Sequence, residues 1–158
     1  MTERESISIA DEIKTLELYL DIEKAYFNDD FEFTIQTTNI DDIEPTKIPS
    51  MFLQPYVENA VKHGLLHKEA TKKLSINFNI QNEVLHITIE DNGIGREKSG
   101  VLNAIKNRNH KSFATEAMEH RIDILNKTRT KPMQLTYIDK KNNNDGATGT
   151  VVLIEIPL

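Results

Sequence analysis

The sequence contains no cysteine, which excludes disulfides, thiol nucleophiles and Cys-ligated zinc and suits a reducing compartment. It has no run approaching the ~18 apolar residues that a membrane-spanning helix needs. Nothing apolar follows the charged start Met1-Thr-Glu-Arg-Glu-Ser6, so the start does not read as a signal peptide. A basic excess is also missing. Lys plus Arg number 19 against 25 Asp plus Glu, a net charge of −6. That argues against general nucleic-acid binding, which needs a basic face, and leaves room for a local basic pocket. There is no internal repeat and no linker long enough to split the chain. What is present is 158 residues, 38% hydrophobic and 28% charged. A chain of that size buries roughly 70% of its unfolded surface without a disulfide or metal staple. The composition is that of one soluble, cytoplasmic domain.

Ser8, followed by Asp11 and Glu12, predicts a helix start with a capping hydroxyl and acids in the first turn. Ile9, Ile13, Leu16, Leu20 and Phe27 carry the helical period to about Tyr26. Phe31, Phe33 and Ile35 alternate with polar residues and predict a strand. Residues 39–49 read as a polar, acidic loop. Ser50 is the expected cap of a second helix, whose stripe is Phe52, Leu53, Tyr56, Val57, Ala60 and Val61. Gly64 is the expected terminator. Leu74, Ile76, Phe78 and Ile80, then Leu85, Ile87 and Ile89, predict two strands joined by a tight hairpin at residues 81–83. Periodicity is lost from Arg96 to Ser112. A helix is expected from about Thr115 to Lys127, with Ala117, Met118, Ile122 and Leu125 inward. Two strands, near 133–138 and 150–156, end the chain. This order predicts an α+β fold, a two-layer sandwich with helices on one face of a mixed, mostly antiparallel sheet.

Two clusters can carry chemistry. On the second helix, Glu58, Lys62, Asn59 and His63 lie in order around the face opposite Leu53 and Ala60. A carboxylate, an amide oxygen, an ammonium and an imidazole together suit Mg²⁺ and phosphates, since Mg²⁺ takes hard oxygen ligands and keeps several waters. The same face also reads as ordinary solvated helix surface. Asp91-Asn-Gly-Ile-Gly95 ends a buried strand with an acid and two glycines. A carboxylate there can accept a hydrogen bond from an adenine amine, and the glycines let a flat ligand approach. Asp-Asn-Gly is equally a common turn. Gly146-Ala-Thr-Gly149-Thr150 reads alone as a hairpin turn before a core strand.

Taken together, an Asn-bearing helix, a strand-end Asp-x-Gly-x-Gly, a polar segment after it and a Gly-Thr before the last strand resemble the Bergerat-type ATP-binding domain of the gyrase, chaperone, histidine-kinase and MutL superfamily. Within it, the chain is similar to catalytic domains of bacterial sensor histidine kinases of the subgroup that partners LytTR-type response regulators. The resemblance rests on Ile48-Pro-Ser-Met-Phe-Leu-Gln-Pro-Tyr-Val-Glu-Asn-Ala-Val-Lys-His-Gly64 and Asp91-Asn-Gly-Ile-Gly95. It is supported by residues 9–24, which look like the helix leading into that domain, and 111–126, which look like the segment closing its lid. It implies a lead-in helix over 1–28 and an ATP-binding domain over 29–158, together a single domain. It implies that Asn59 holds Mg²⁺, that Lys62 and His63 face the ATP phosphates, and that Asp91 bonds the adenine amine. Gly93 and Gly95 would shape the adenine floor, and Thr150 would support it beside Asp91. Glu58 would orient a metal-bound water or brace Lys62. Ser112 and Thr115 would donate to the phosphates where the family often has Gly-x-Gly-Leu and this chain has Ser112-Phe-Ala-Thr115.

The resemblance also implies partners. One is a phosphoacceptor histidine on a helical dimerisation segment, and another is a response regulator of the LytTR type. Neither nucleic acid nor direct membrane contact is implied, although the intact protein would be membrane-anchored with this domain in the cytoplasm. None of the five histidines, at 63, 67, 86, 110 and 120, fits the acceptor, so the chain reads as a catalytic fragment of a longer kinase. The altered lid end keeps a second reading open, a non-catalytic nucleotide-binding or degenerate interaction module. Superfamily members that hydrolyse ATP with water carry an acid one turn before the Asn, where this chain has Pro55. His63 and His67 stand at the spacing of a helical zinc pair but lack a third ligand. His86 reads as a solvent-face strand residue, and Asp29-Asp30 and Asp41-Asp42 read as turns. No Ser-His-Asp arrangement suggests hydrolysis.

Overall fold

The computed structural model describes residues 6–27, 30–40, 46–65, 71–93, 111–140 and 149–158, with 63–65, 111–116 and 139 described in backbone only. Ser8 caps helix α1 (Ile9–Tyr26), its Oγ accepting the Asp11 N–H at 3.1 Å. That satisfies one of the donors every helix start leaves without an acceptor. Ile9, Leu16 and Leu20 are fully buried, and Ile13 and Phe27 pack partly against the same core. Each such aliphatic side chain contributes about 1.5–3 kcal/mol by leaving water.

Two short strands escape the sequence reading. Strand β1 (Ser6–Ser8) pairs antiparallel with β3 (Lys47–Pro49), inside the stretch expected to be loop. At three residues each they are too short to show alternation. The main sheet has the order β2-β4-β5-β7-β6, built from β2 (Phe31–Thr38), β4 (Lys72–Gln81), β5 (Val84–Asp91), β6 (Gln134–Lys140) and β7 (Gly149–Pro157). Only β2 and β4 run parallel. The β4–β5 hairpin turns on Asn82 and Glu83, with φ of +53° and +62°, the left-handed pair that matches strand twist in a two-residue turn.

The register aligns Ile76 with Ile89 and Val152, Phe78 with Ile87 and Ile154, and Ile80 with Leu85 and Ile156. Because side chains alternate along a strand, these apolar sets share one face, and that face carries the core. The expected α+β sandwich, with a mixed and mostly antiparallel sheet, is the fold observed.

Three boundaries differ. Helix α2 (Gln54–Asn59) starts after Leu53 with no side-chain cap, and Ser50 instead lies in a turn with Met51, whose φ is +56°. Pro55, in the first turn, was the usable signal, since proline's fixed φ and missing N–H suit that place. A π-helical turn, Ala60–Leu65, continues α2 one residue past Gly64. Helix α3 spans Lys111–Asn126, so Ser112-Phe-Ala-Thr115 is helical in backbone rather than loop. Met118 and Ile122 on α3 are buried as expected, whereas Ala117 is exposed.

Candidate functional site

Asp91 closes the central strand β5, paired with Leu74 of β4 on one side and Thr150 of β7 on the other. Its side chain is only 4% exposed. Oδ1 accepts the Gly93 N–H at 2.9 Å, and the Thr150 main-chain N–H also bonds the carboxylate. Burial pushes its pKa up to about 6. The Gly93 and Thr150 N–H groups and the Lys140 ammonium oppose that shift, and Glu90 adds to it. Desolvation wins because a charge loses more by leaving water than two amides return. Lys140 is itself tied to Glu90, Nζ to Oε1 at 2.6 Å.

Gly149 is what lets β7 reach Asp91. Its φ is +132°, and a Cβ there would stand 2.0 Å from the Asp91 carbonyl oxygen. The Gly-Thr before the last strand, read alone as a turn, is therefore a close backbone approach to the strand-end acid. Only the folded partner reveals that constraint. Asn92 has a scaffold role. Its Oδ1 accepts the Lys73 N–H at 2.8 Å and its Nδ2 donates to the Thr71 carbonyl at 3.0 Å, pinning the entry to β4.

Helix α2 and its π-helical turn bring the second cluster to this sheet, the turn packing on β4, β5 and β7. Tyr56, Val57, Ala60 and Val61 are buried, as their stripe predicts. Asn59 ends the α-helical part, and its Nδ2 donates to the Met118 sulfur of α3 at 3.3 Å. A thioether sulfur can only accept, which fixes the amide orientation and leaves Oδ1 as the outward acceptor. The wider turn after Asn59 alters the angular spacing assumed for Lys62 and His63. Lys62 is exposed. Glu58 turns elsewhere, accepting from Gln54 Nε2 at 3.1 Å. Its charge helps burial and Glu23 push the Tyr19 hydroxyl pKa upward. Among the described residues Glu58 forms no ion pair with Lys62.

The structure thus assembles Asp91, Gly93 and Thr150 directly and packs the π-helical turn that follows Asn59 on β4, β5 and β7. Gly95 and His67 lie outside the described residues. The side chains of His63, Ser112 and Thr115 do too, although their backbones belong to the π-helical turn and to α3. Among the described residues no three His, Asp or Glu side chains gather to hold a metal.

No family model matches the chain. A protein of Staphylococcus epidermidis described as an uncharacterized sensor-like histidine kinase is 29% identical over 159 residues, which is 99% of this chain and 29% of that protein. The sensor protein kinase HptS of Staphylococcus aureus is 26% identical over 164 residues, again 99% of this chain and 29% of that protein. The chain therefore spans 29% of the length of these relatives. Among solved structures, the catalytic domain of histidine kinase ThkA superposes with a TM-score of 0.58 at 14% identity, covering 96% of this chain and 93% of that one. ThkA in complex with the response regulator TrrA gives a TM-score of 0.62 at 12% identity, covering 96% and 41%. The mycobacterial sensor histidine kinase MprB gives 0.58 at 13%, covering 97% and 96%. The fold of this chain is that of the histidine-kinase catalytic domains.

Proposed function

We propose that this chain is the ATP-binding catalytic domain of a two-component sensor histidine kinase, transferring the ATP γ-phosphate to a histidine on a segment outside this sequence. The observation that carries the reading is the buried Asp91 carboxylate at the end of β5, held by Gly93 and Thr150, with the π-helical turn that follows Asn59 packed on β4, β5 and β7. A buried carboxylate with acceptor capacity to spare fits the exocyclic amine of adenine. Asn59 fits Mg²⁺, because Met118 takes its Nδ2 and no described donor meets its Oδ1. In this reading Lys62 and His63 face the phosphates, Gly93 and Gly95 shape the adenine floor, and Thr150 supports it beside Asp91. Ser112 and Thr115, whose backbone belongs to α3, donate to the phosphates in the same reading.

When bound, Mg²⁺ supplies charge neutralisation across the phosphates. The chain's own residues orient the nucleotide and exclude water from its base, so catalysis here is positioning and electrostatics rather than covalent chemistry. An imidazole nitrogen of the acceptor attacks the γ-phosphorus. The bond to the β–γ bridging oxygen breaks, ADP leaves, and the imidazole N–H proton is released. The partners are that acceptor segment and a response regulator, of LytTR type. The lead-in segment over 1–28, which carries α1 (Ile9–Tyr26), joins the catalytic domain over 29–158 to that acceptor segment, in a membrane-anchored parent protein. No described helix is long and apolar enough to cross a membrane.

The test is phosphotransfer from γ-labelled ATP to a helical segment bearing a phosphoacceptor histidine, supplied in trans. Label that is acid-labile, base-stable and lost on replacing that histidine supports the kinase. Nucleotide binding without transfer supports the non-catalytic module, and the feature that favours it is Ser112-Phe-Ala-Thr115 standing where the family often has Gly-x-Gly-Leu.

A further inference from the structure

Helix α2 has no cap of its own, since Leu53 at its N-cap position brings no side-chain oxygen. What holds that end comes from two other helices. Glu12 of α1, 1% exposed, accepts the Leu53 main-chain N–H. Arg121 of α3 donates Nη1 to the Met51 carbonyl at 2.9 Å and Nη2 to the Ser50 carbonyl at 2.5 Å. Its guanidinium also lies 5.7 Å over the Phe52 ring. Three residues earlier on α3, Met118 meets Asn59 at the far end of α2, and residues at that spacing share a helix face. Helix α3 therefore holds the turn leading into α2 and the residue that ends it, while Glu12 of α1 bonds its N-cap residue.

Packing alone does not explain Glu12. Its Oε1 is buried without a hydrogen-bond partner, an arrangement that costs free energy. Burial raises its pKa, while the Leu53 N–H and the nearby Arg121 charge act the other way. Met51, between the two gripped carbonyls and the ring, is held at a left-handed φ of +56°, a conformation that persists only where its surroundings enforce it.

We propose that Glu12 and Arg121 are positioning residues that set the seat of α2, so that a displacement of α1 is carried to Asn59 and the nucleotide pocket. α2 runs from Gln54 to Asn59, so less than two helical turns separate its start from Asn59. This inference deepens the function proposed above and rests on it for the nucleotide readout. The clamp itself is read separately, by amide hydrogen exchange.

Glu12→Ala, Glu12→Gln and Arg121→Lys are compared with Leu85→Ala, a fully buried residue at the hairpin end of β5. Exchange over 53–59 and calorimetric Mg-ATP affinity are measured for each. Glu12→Ala should speed exchange there about tenfold with β5 unchanged, and weaken ATP about tenfold, a coupling ordinary for contacting groups. Glu12→Gln keeps an acceptor oxygen and should restore both within about threefold. Arg121→Lys loses the fork and should behave like Glu12→Ala. Leu85→Ala should lower stability and leave both readouts at the parent values. Parent-like exchange over 53–59 in Glu12→Ala, or the same changes in Leu85→Ala, overturns the proposal. A parent chain that does not bind ATP overturns the functional reading instead, and exchange then decides the clamp alone.

Discussion

Replacing Asp91 by Asn should make the protein more stable at neutral pH relative to acid, even as it removes the carboxylate proposed to meet the nucleotide. Asp91 is 4% exposed, and its pKa stands at about 6 against an ordinary 3.8. Between those values the folded state keeps a proton that the unfolded chain has released. Stability from this group is therefore fully present below about pH 4 and is lost as pH rises through about 6. The gap of 6 − 3.8 = 2.2 units, at about 1.4 kcal/mol each, amounts to about 3 kcal/mol. Asn cannot titrate, although its oxygen can still accept from Gly93 and Thr150. The parent minus Asp91→Asn difference in unfolding free energy should fall by about 3 kcal/mol from about pH 3.5 to about pH 7.5. Contributions of the neighbouring Lys140 and Glu90, and of all distant carboxylates, cancel in that difference to first order. Urea denaturation across the range measures it. A flat or rising difference would refute the reasoning, because it would mean that hydrogen bonds outweigh desolvation at this carboxylate.

Further expectations follow from other contacts. Gly149→Ala places a Cβ 2.0 Å from the Asp91 carbonyl oxygen at a φ of +132°. It should cost about 2 kcal/mol or more in thermal or urea unfolding and should disturb the β5 end, seen as altered Asp91 and Thr150 amide shifts. Asn126 holds the turn into β6, with Oδ1 accepting the Met133 N–H at 2.7 Å and Nδ2 donating to the Met133 carbonyl at 3.1 Å. Asn126→Ala should cost about 1–3 kcal/mol while leaving nucleotide affinity unchanged by calorimetry. Nucleotide binding should weaken as pH falls through about 6, since a protonated carboxyl is the poorer acceptor. Affinity independent of pH between about 5 and 7 would separate Asp91 from the ligand.

Much of this fold was legible wherever the information is local. Ser8 with Asp11 and Glu12 marks the start of α1, and strict alternation marks β4 and β5 to within a residue or two. Asp91 stands out as an acid ending a buried strand. What was missed depends on distant partners. β1 and β3 pair across nearly forty residues (Ser8 with Lys47), too short to carry a period of their own. Ser50 looks like a cap, yet its carbonyl is claimed by Arg121, and the N-terminal end of α2 is bonded by Glu12. Gly149 looks like a turn glycine until β7 is laid beside Asp91. Glu58 and Asn59 share one broad face of a helical wheel, but Gln54 draws one and Met118 the other.

The central claim is that Asp91 and Asn59 belong to one nucleotide pocket. Calorimetric titration of the parent chain, Asp91→Asn and Asn59→Ala with ATP and ADP, with and without Mg²⁺, tests it most directly. The account predicts saturable parent binding, a loss of about tenfold or more in Asp91→Asn despite its intact fold, and loss of the Mg²⁺ dependence in Asn59→Ala. A parent chain that binds neither nucleotide at about millimolar concentration, weaker than about −4 kcal/mol, would contradict it, as would variants that bind as the parent does.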